Sequence, residues 1–397
     1  MLVHSTYPYE ETRVQRQADV LVEHGHDVDV ICLRRGTEPS VEFVDGIRVL
    51  RIPVRRDKKR GALGQFIEYL VFGFFAFVLM TRMHLRRRYD VVQVHNLPDF
   101  LVFAAFVPRL TGSRIILDLH DLMPEFYCAK FQSSMSSLPV RLIALQERLS
   151  CAFAHHIITV TESWRQTLIQ RGVPPPKCSV VMNLADLRYF QRDASSINSS
   201  GKFRLVYHGQ VTRRYGLDVL LQALVRVRKE IPNVRLTIHG GGEFMDNVCA
   251  LVQSLGLEET VALHREFLPV TDLGRFIMAH DVGIVPYRRD VFTDGILPTK
   301  LLEYVALELP VIAARTPTIG AYFDENMVEF FESENVEELA QRIVYLFNHA
   351  ERRQELVHNS SCFNSQFNWT SQREKYARLV EHLNDRQHSQ PNEISIK

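Results

Sequence analysis

The chain has 397 residues, of which 46% are hydrophobic and 23% are charged, as is usual for a globular protein. This length exceeds what a single hydrophobic core normally supports, so two domains are expected. The formal net charge is only +1, so no general attraction to nucleic acid is expected.

Strand-like and helix-like segments alternate through the first half of the chain. "MLVHS" at the N-terminus resembles a strand. Residues 13–25 resemble an amphipathic helix whose inward residues are Val14, Ala18, Leu21 and Val22. Further strand-like runs follow in the order "DVDVICL", "IRVLRIPV", "YDVVQVH", "RIILDLH", "AHHIITVT" and "CSVVMN". Apolar runs separated by helices predict a parallel sheet covered on both faces, so we assign residues 1–190 to one Rossmann-like domain.

A second set of alternating elements follows a polar, Ser/Asn-rich segment at 192–202, which we interpret as a linker. Its strand-like runs are "FRLVYHG", "VRLTIHGGGE", "VALHREF", "VGIVPY" and a short run near 310–313. They predict a second Rossmann-like domain over 202–365, and residues 366–385 predict a closing amphipathic helix. The predicted fold class is therefore α/β, with two doubly wound domains and a ligand cleft at the carboxyl ends of their sheets.

Residues 66–88 combine an apolar run with nearby positive charge. The twelve residues 69–80 are apolar without interruption, whereas a membrane-spanning helix needs roughly 20. Basic clusters lie on either side, at 55–60 and 82–88. Contact with an anionic membrane surface is the favoured interpretation, and a buried core helix and a true span are the alternatives.

The six cysteines are scattered, with no CxxC pair and no Cys/His cluster. This spacing predicts reduced thiols and no zinc site. The N-terminus lacks the charged-then-apolar order of a signal peptide. We therefore expect a cytoplasmic protein, held peripherally on the inner face of the membrane.

Lys300 and Glu303 lie three residues apart at the start of a predicted apolar helix. Pro298 suits the first turn of that helix, and the preceding loop contains Gly295 and Leu297. A helix start offers unpaired N–H groups and a partial positive charge, which suit a phosphate. A nucleotide diphosphate would meet this end and Lys300, while Glu303 would accept hydrogen bonds from two sugar hydroxyls. An ordinary ion pair between the two side chains is the alternative.

Two glycine-containing turns in the same domain support the phosphate interpretation. In "YHGQVTRRYG" a strand is followed by Gly209, then by Arg213 and Arg214 just before a helix. In "IHGGGE" the next strand runs into Gly240 and Gly241. Glycine allows a backbone to approach a ligand closely, and arginine can donate two hydrogen bonds to phosphate oxygens.

These segments, with "AHDVGIVPY" and "PTKLLEYVALELPVIA", resemble the nucleotide-sugar domain of GT-B glycosyltransferases, most closely family four (group one). The first-domain segments "YDVVQVHNLP" and "LDLHDLMPE" and the closing "FNWTSQREKYARLVEHL" also resemble that family. The resemblance covers roughly residues 1–380. It implies that the first domain binds the acceptor, the second binds the nucleotide sugar, and the final helix returns to the first.

The resemblance also implies an activity and a set of site residues. Family members transfer a sugar from a nucleotide diphosphate to an acceptor with retained anomeric configuration, generally without a bound metal or cofactor. Arg213 or Arg214 would bind the diphosphate together with Lys300, and His120 would lie near the donor sugar. His95 and Asp121 would lie on the acceptor side.

The resemblance is incomplete in four places. Gly295 stands where the family often has the first of two glutamates, Tyr215 where a lysine is common and Glu308 where a glycine is frequent. The loop after "MLVHS" has "YPYEET" in place of the usual glycine pair. The apolar and basic segment suggests a lipid-linked acceptor, and a saccharide acceptor is the alternative. Other functions are a nucleotide-sugar epimerase or phosphorylase of the same fold, or a non-catalytic subunit of a transferase.

Overall fold

The computed structural model describes residues 1–8, 11–56, 61–190, 201–266 and 268–388. Most of the predicted linker (192–200) and part of the first basic cluster (57–60) lie outside the described residues. Contacts divide the chain into two compact units. Unit 1 comprises Met1–Asn183 and the closing residues from Thr370 onwards, and unit 2 comprises Leu184–Trp369, so the division falls shortly before the boundary predicted at 190.

The strands of unit 1 are β1 (Leu2–Thr6), β2 (Asp29–Leu33), β3 (Val41–Val44), β4 (Ile47–Ile52), β5 (Val91–His95), β6 (Arg114–Leu119), β7 (His156–Thr159) and β8 (Cys178–Val180). Those of unit 2 are β9 (Phe203–His208), β10 (Val234–His239), β11 (Val261–His264), β12 (Val282–Val285), β13 (Val311–Ala314) and β14 (Glu329–Phe331).

The α-helices are α1 (Thr12–Glu23), α2 (Ala62–Arg87), α3 (Phe106–Leu110), α4 (Met123–Phe131), α5 (Leu138–Phe153), α6 (Glu162–Gln170), α7 (Leu217–Glu230), α8 (Met245–Ser254), α9 (Val270–Met278), α10 (Thr299–Ala306), α11 (Pro317–Tyr322), α12 (Val336–Asn348), α13 (Ala350–Gln366) and α14 (Trp369–His388). Short 3-10 helices cover Asp99–Ala105, Pro175–Lys177 and Arg213–Tyr215.

Unit 1 contains an eight-stranded sheet in the order β3-β4-β2-β1-β5-β6-β7-β8. Neighbouring strands are parallel except for β3 and β4, which form an antiparallel hairpin. The predicted parallel sheet is present, and β3 adds an antiparallel strand at its edge that the sequence did not predict. The physical reason is the Asp45-Gly46 pair, whose backbone φ angles of 50° and 82° suit a two-residue hairpin turn.

The closing helix α14 packs on unit 1, as predicted. Tyr376 donates a hydrogen bond from its hydroxyl to Gln93 Oε1 on β5 at 2.6 Å. The backbone N–H of Met182 donates to Gln372 Oε1 at 3.1 Å. Both Tyr376 and Gln93 are buried, so this helix is part of the core of unit 1.

Unit 2 contains a six-stranded parallel sheet in the order β11-β10-β9-β12-β13-β14. Counted from β9 this is the order 3-2-1-4-5-6 of dinucleotide-binding domains, which reverses direction between β9 and β12. In such sheets ligands bind beyond the carboxyl ends of the strands at that reversal. The predicted doubly wound fold is confirmed, and its topology selects the ends of β9 and β12 as the place to look for a site.

Helix α2 has 26 residues, longer than the apolar run that marks it in the sequence. Among the described residues, the segment Leu63–Arg87 of this helix is long and apolar enough to cross a membrane, judged by length and composition alone. Of its most apolar stretch, 22% is buried inside the protein.

Candidate active site

Lys300 lies at the sheet reversal of unit 2. Helix α10 begins at Thr299, so Pro298 is the capping residue rather than the first helical residue. The Lys300 side chain is buried, and its Nζ has no hydrogen-bond partner among the described residues. Nζ lies 3.9 Å, 5.0 Å and 5.1 Å from the ring centroids of Tyr207, Tyr215 and Tyr287. Aromatic faces attract a cation, so these rings stabilise the ammonium without using its hydrogen-bond donors.

Burial also changes the protonation of Lys300. Removal from water lowers the pKa of this ammonium to about 7, and the nearby Glu303 carboxylate opposes part of that change. A buried cation that lacks an anionic partner within hydrogen-bond distance is unfavourable in the free protein. An anionic ligand would provide that partner, so Lys300 is suited to bind one.

Glycines bring two loops close to Lys300. A Cβ atom on Gly209 would lie 3.6 Å from Lys300 Cε and 3.7 Å from its Nζ. The loops after β9 and β10 are joined by hydrogen bonds from Gly209 N to His239 O and from Val211 N to Gly241 O, both 2.9 Å. The backbones are so close that a Cβ on Gly240 would lie 1.9 Å from Gly209 O.

We expect Gly240→Ala to destabilise the protein by roughly 2–4 kcal/mol, because a methyl group cannot share space with a backbone oxygen and the φ of 142° is unfavourable for alanine. Gly241→Ala is the matched control, since a Cβ there meets nothing within 4 Å. Urea unfolding of both variants tests this expectation. Equal stability of the two would show that the close approach of the loops is not maintained in solution.

Glu303, one turn after Lys300, is held by a histidine of the central strand. His208 Nε2 lies 2.5 Å from Glu303 Oε2, and His208 Nδ1 lies 3.0 Å from the Tyr304 hydroxyl. The carboxylate favours a proton on Nε2, so the ring donates to Glu303 and accepts from Tyr304. No ion pair joins Lys300 and Glu303 in the described part of the chain, so the two side chains are held separately.

The two candidate arginines differ in their surroundings. Arg213 is exposed, whereas Arg214 is half-buried with its guanidinium 5.2 Å from the ring centroid of Phe292, in the loop that precedes α10. Arg288 fixes the backbone between them by donating to the carbonyls of Arg213 and Arg214 at 2.7 Å and 2.9 Å. Arg214 therefore lies beside the loop that leads to Lys300, which makes it the better candidate for the second cation.

Hydrogen bonds also hold the rest of the loop that precedes α10. Gly295 N donates to Phe292 O at 3.1 Å, and the Thr318 hydroxyl donates to Asp294 O at 2.7 Å. Gly295 and Pro298 are buried and Leu297 is half-buried. The loop thus holds the start of α10 in a fixed position.

Unit 1 has its own cluster of polar side chains, at the carboxyl ends of β5 and β6. His95 Nδ1 lies 3.1 Å from His120 Nε2 and 3.5 Å from Asp118 Oδ2. Asp118 accepts two hydrogen bonds from the Arg13 guanidinium, at 2.9 Å and 3.2 Å. The Gln17 side chain donates to the same carboxylate at 2.9 Å. His95 and Asp118 are fully buried, whereas the His120 side chain is 20% exposed.

The charges of this cluster follow from burial and from Arg13. Burial alone would raise the pKa of Asp118, but the positive charge of Arg13 holds it well below its usual range. Burial lowers the pKa of His120 to about 3 and also lowers that of His95, although Asp118 opposes both changes. Both rings are therefore neutral at neutral pH.

The anionic Asp118 favours the His95 tautomer that carries its proton on Nδ1, next to the carboxylate. His120 Nε2 then accepts from His95, and His120 Nδ1–H remains as a donor at the accessible end of the cluster. His95 is fully buried, so His120 is the ring of this pair that is partly exposed. Asp121 is half-buried, and its carbonyl accepts a hydrogen bond from Asn96 at 2.5 Å.

The ligand atoms of His95, Asp118 and His120 lie within 4.8 Å of one another, which is close enough to hold a metal ion. The chemistry of the carboxylate does not fit this use. Asp118 is already neutralised by Arg13 and engaged by the amide groups of Gln17 and Gln93. A second cation would be repelled by the guanidinium, so we assign no metal to this cluster.

Several important residues are missing from the sequence-based set. The three tyrosines around Lys300 and His208 beside Glu303 contact predicted residues across the fold, and Asp118 contacts the predicted His95 and His120. Three features of the sequence point to some of these residues. They are His208 directly before Gly209, Tyr287 two residues after the end of β12, and Asp118 two residues before His120. Each belongs to a strand end, where such signals are easily taken for core residues.

Comparison with known proteins identifies relatives of both units. A family model described as "Glycosyl transferase 4-like domain" matches residues 10–183, and one described as "Glycosyl transferases group 1" matches residues 190–361. The chain is 23% identical, over 313 residues and 71% of its length, to a chitobiosyldiphosphodolichol beta-mannosyltransferase from Debaryomyces hansenii. It covers 65% of that relative, which is slightly less than two thirds of its length.

Two solved structures show the same fold. Sucrose-phosphate synthase from Thermosynechococcus elongatus has a TM-score of 0.77 at 17% identity, covering 97% of this chain and 96% of that one. Anabaena HepE in complex with UDP has a TM-score of 0.70 at 16% identity, covering 96% of this chain and 98% of that one. At these identities the likeness establishes the GT-B fold.

Proposed function

The chain belongs to the group 1 glycosyltransferases, and we propose that it transfers a sugar from a nucleotide diphosphate sugar to an acceptor with retained anomeric configuration. Unit 2 binds the donor and unit 1 binds the acceptor. No metal or cofactor takes part beyond the donor itself.

The observation that carries this proposal is the buried Lys300 ammonium at the reversal of the unit 2 sheet. Its Nζ has no hydrogen-bond partner among the described residues, and it lies beside Gly209 and one turn before Glu303. A diphosphate fits these surroundings because it supplies the missing anion to Lys300 and to the start of α10. Glu303, held through Oε2 by His208, presents Oε1 to the ribose hydroxyls.

The chemistry follows from charge development on the leaving group. When the bond between the sugar and the diphosphate breaks, negative charge builds on the terminal phosphate oxygen. Lys300, Arg214 and the N–H groups at the start of α10 are positioned before the reaction, so they stabilise that charge as it forms. For retention, the acceptor hydroxyl attacks from the face that the diphosphate leaves, and the departing phosphate takes the hydroxyl proton. His120 orients the sugar through its Nδ1–H.

We propose a lipid-linked saccharide as the acceptor. The name of the Debaryomyces hansenii relative specifies a lipid diphosphate carrying a disaccharide, which is an acceptor of this class. We also propose a cytoplasmic location for the protein, because all six cysteines are free and four of them are buried as thiols.

A donor screen followed by product analysis tests the function. Thermal shift with UDP, GDP and ADP sugars should identify one donor that raises the melting temperature, since a ligand stabilises the state that binds it. UDP sugars come first because the Anabaena neighbour was crystallised with UDP. Transfer to a lipid diphosphate saccharide is then measured, and NMR of the product should show the anomeric configuration of the donor.

Three results would contradict the proposal in different ways. Inverted product would refute retention and leave the transferase function intact. Donor binding with isomerisation of the sugar and no acceptor dependence would identify an epimerase. Absence of binding to every nucleotide sugar would indicate a non-catalytic subunit.

A further inference from the structure

Helix α2 has two apolar sides, only one of which is used to fold unit 1. Its inner side is buried at intervals of four residues, through Glu68, Phe72, Ala76 and Met80. Its outer side carries exposed large apolar residues at helical spacing. Six of these are Phe66, Ile67, Leu70, Phe74, Phe75 and Val78. Folding does not account for this second apolar stripe, since its side chains are exposed. Contiguous exposed apolar surface usually marks an interaction site.

The stripe continues onto neighbouring helices. On α5 the exposed residues Leu138, Leu142, Leu145 and Leu149 share one side of the helix, at intervals of three and four. Between α2 and α5 lie the 3-10 helix Asp99–Ala105 and α3, whose exposed residues are Phe103, Phe106 and Leu110. We call the exposed apolar side chains of α2, the 3-10 helix, α3 and α5 the apolar face.

Ring contacts join the parts of this face into one surface. The rings of Phe66 on α2 and Phe100 on the 3-10 helix lie 6.2 Å apart. Those of Phe103 and Phe106 lie 5.1 Å and 6.4 Å from the ring of Phe153 at the end of α5. These ring contacts link α2 to the 3-10 helix, and link the 3-10 helix and α3 to the end of α5.

The exposed charges on the segments that carry the apolar face are positive, and the exposed carboxylate of Asp90 lies just beyond them, two residues after Arg88. The segments 61–88, 98–112 and 123–153 contain the four carboxylates Glu68, Asp99, Glu125 and Glu147, and all four are buried. The exposed charges are arginines: Arg82, Arg86, Arg87 and Arg88 at the end of α2, and Arg141 and Arg148 on α5. The chain as a whole has a net charge of +1, so this positive charge is local.

We propose that the apolar face docks on the surface of an anionic lipid bilayer, with α2 and α5 lying in the plane of the interface. Apolar side chains would enter the boundary between headgroups and acyl chains while the arginines bind lipid phosphates. A second copy of the chain is a poorer occupant, because its own arginines would repel those of the first. If α2 crossed the bilayer instead, its buried side would have to leave the core of unit 1. That side includes Glu68, whose Oε1 lies 3.4 Å from His4 Nε2. This inference does not depend on the proposed transferase function.

Vesicle flotation of the full chain tests the docking surface. The protein should float with vesicles of phosphatidylcholine and phosphatidylglycerol, bind phosphatidylcholine alone far more weakly, and be released by salt. Phe74→Ser with Phe75→Ser, and separately Leu142→Ser with Leu145→Ser, should weaken binding at least about tenfold. Arg86→Glu with Arg87→Glu should abolish the preference for anionic lipid.

Phe43→Ser is the matched control, because Phe43 is 69% exposed on the edge strand β3 of the same unit and lies outside the apolar face. This variant should bind vesicles like the parent chain. Equal binding to neutral and anionic vesicles, or loss of binding in the control, would overturn the proposal. The proposal would also be overturned if the parent chain formed a stable dimer that did not bind vesicles and that dissociated in the Phe74→Ser, Phe75→Ser variant. Donor binding should be unchanged in all these variants, so failure here and failure of the transferase function are distinguishable.

Discussion

Replacing Lys300 by methionine should lower kcat/KM for sugar transfer by about 10²–10³-fold, the usual effect of removing one preorganised donor from a developing anion. Methionine retains the length and apolar contacts of the lysine side chain, so the three surrounding tyrosines remain packed. Binding of the nucleotide diphosphate alone should also weaken. The measurements are steady-state kinetics and calorimetric titration with the donor found in the screen.

The same substitution should leave the protein as stable as the parent chain or more stable. Nζ of Lys300 is buried without a hydrogen-bond partner, so its charge is a cost to the free folded state that the aromatic rings offset only in part. A residue that served the fold would show the opposite result. Loss of activity together with gain in stability would therefore identify Lys300 as a ligand-binding cation.

The pH dependence of stability gives a further signature of Lys300. Its pKa is about 7 in the folded protein and 10.5 when unperturbed, so unfolding takes up a proton between these values. The contribution of Lys300 to the free energy of unfolding should thus be most unfavourable below pH 7 and should improve as the pH rises toward 10.5. Urea midpoints of the parent chain should show this rise relative to the Lys300→Met variant.

Lys229→Met is the control for Lys300, since Lys229 is an exposed lysine near the end of α7 in the same unit. Its activity, donor binding and pH dependence should match those of the parent chain. An unchanged kcat/KM in Lys300→Met would remove the basis for placing the diphosphate at the start of α10.

Much of this site can be predicted from local sequence. The apolar runs predict the strands other than β3 and β14 and their order along the chain. Lys300 and Glu303 stand out because a buried helix rarely begins with charged residues. The partner of Glu303 could not be predicted in this way, because His208 lies 95 residues earlier and meets it only when β9 becomes the central strand. The same holds for Tyr207, Tyr215 and Tyr287, which converge through the sheet order alone.

Other gaps have different causes. The β3–β4 hairpin was predictable from its Asp-Gly turn, but a single short edge strand is easily lost among longer apolar runs. Helix α2 is apolar on both sides, so the sequence alone does not show which side packs against the rest of unit 1. Burial in the folded chain separates the inner residues such as Phe72 from the outer ones such as Phe74.

Replacing Asp118 by alanine should destabilise the protein by about 3–5 kcal/mol, because it leaves the buried Arg13 guanidinium without its counter-charge. It should also lower kcat by about 10–100-fold, the range seen when a carboxylate that orients a metal-bound histidine is removed. The reason is that His95 loses the charge that fixes its tautomer, and His120 is no longer held by His95. Urea unfolding and kinetics measure the two effects separately.

A double substitution separates the structural role of Asp118 from its functional role. In Arg13→Met with Asp118→Leu both charges are removed together, and apolar replacements of a buried ion pair are often neutral or stabilising. The double variant should therefore recover most of the lost stability while kcat stays low, because no carboxylate orients the histidines. Recovery of both quantities would mean that Asp118 serves only the fold. Low stability in the double variant would instead show that Gln17 and Gln93 depend on the carboxylate for their own hydrogen bonds.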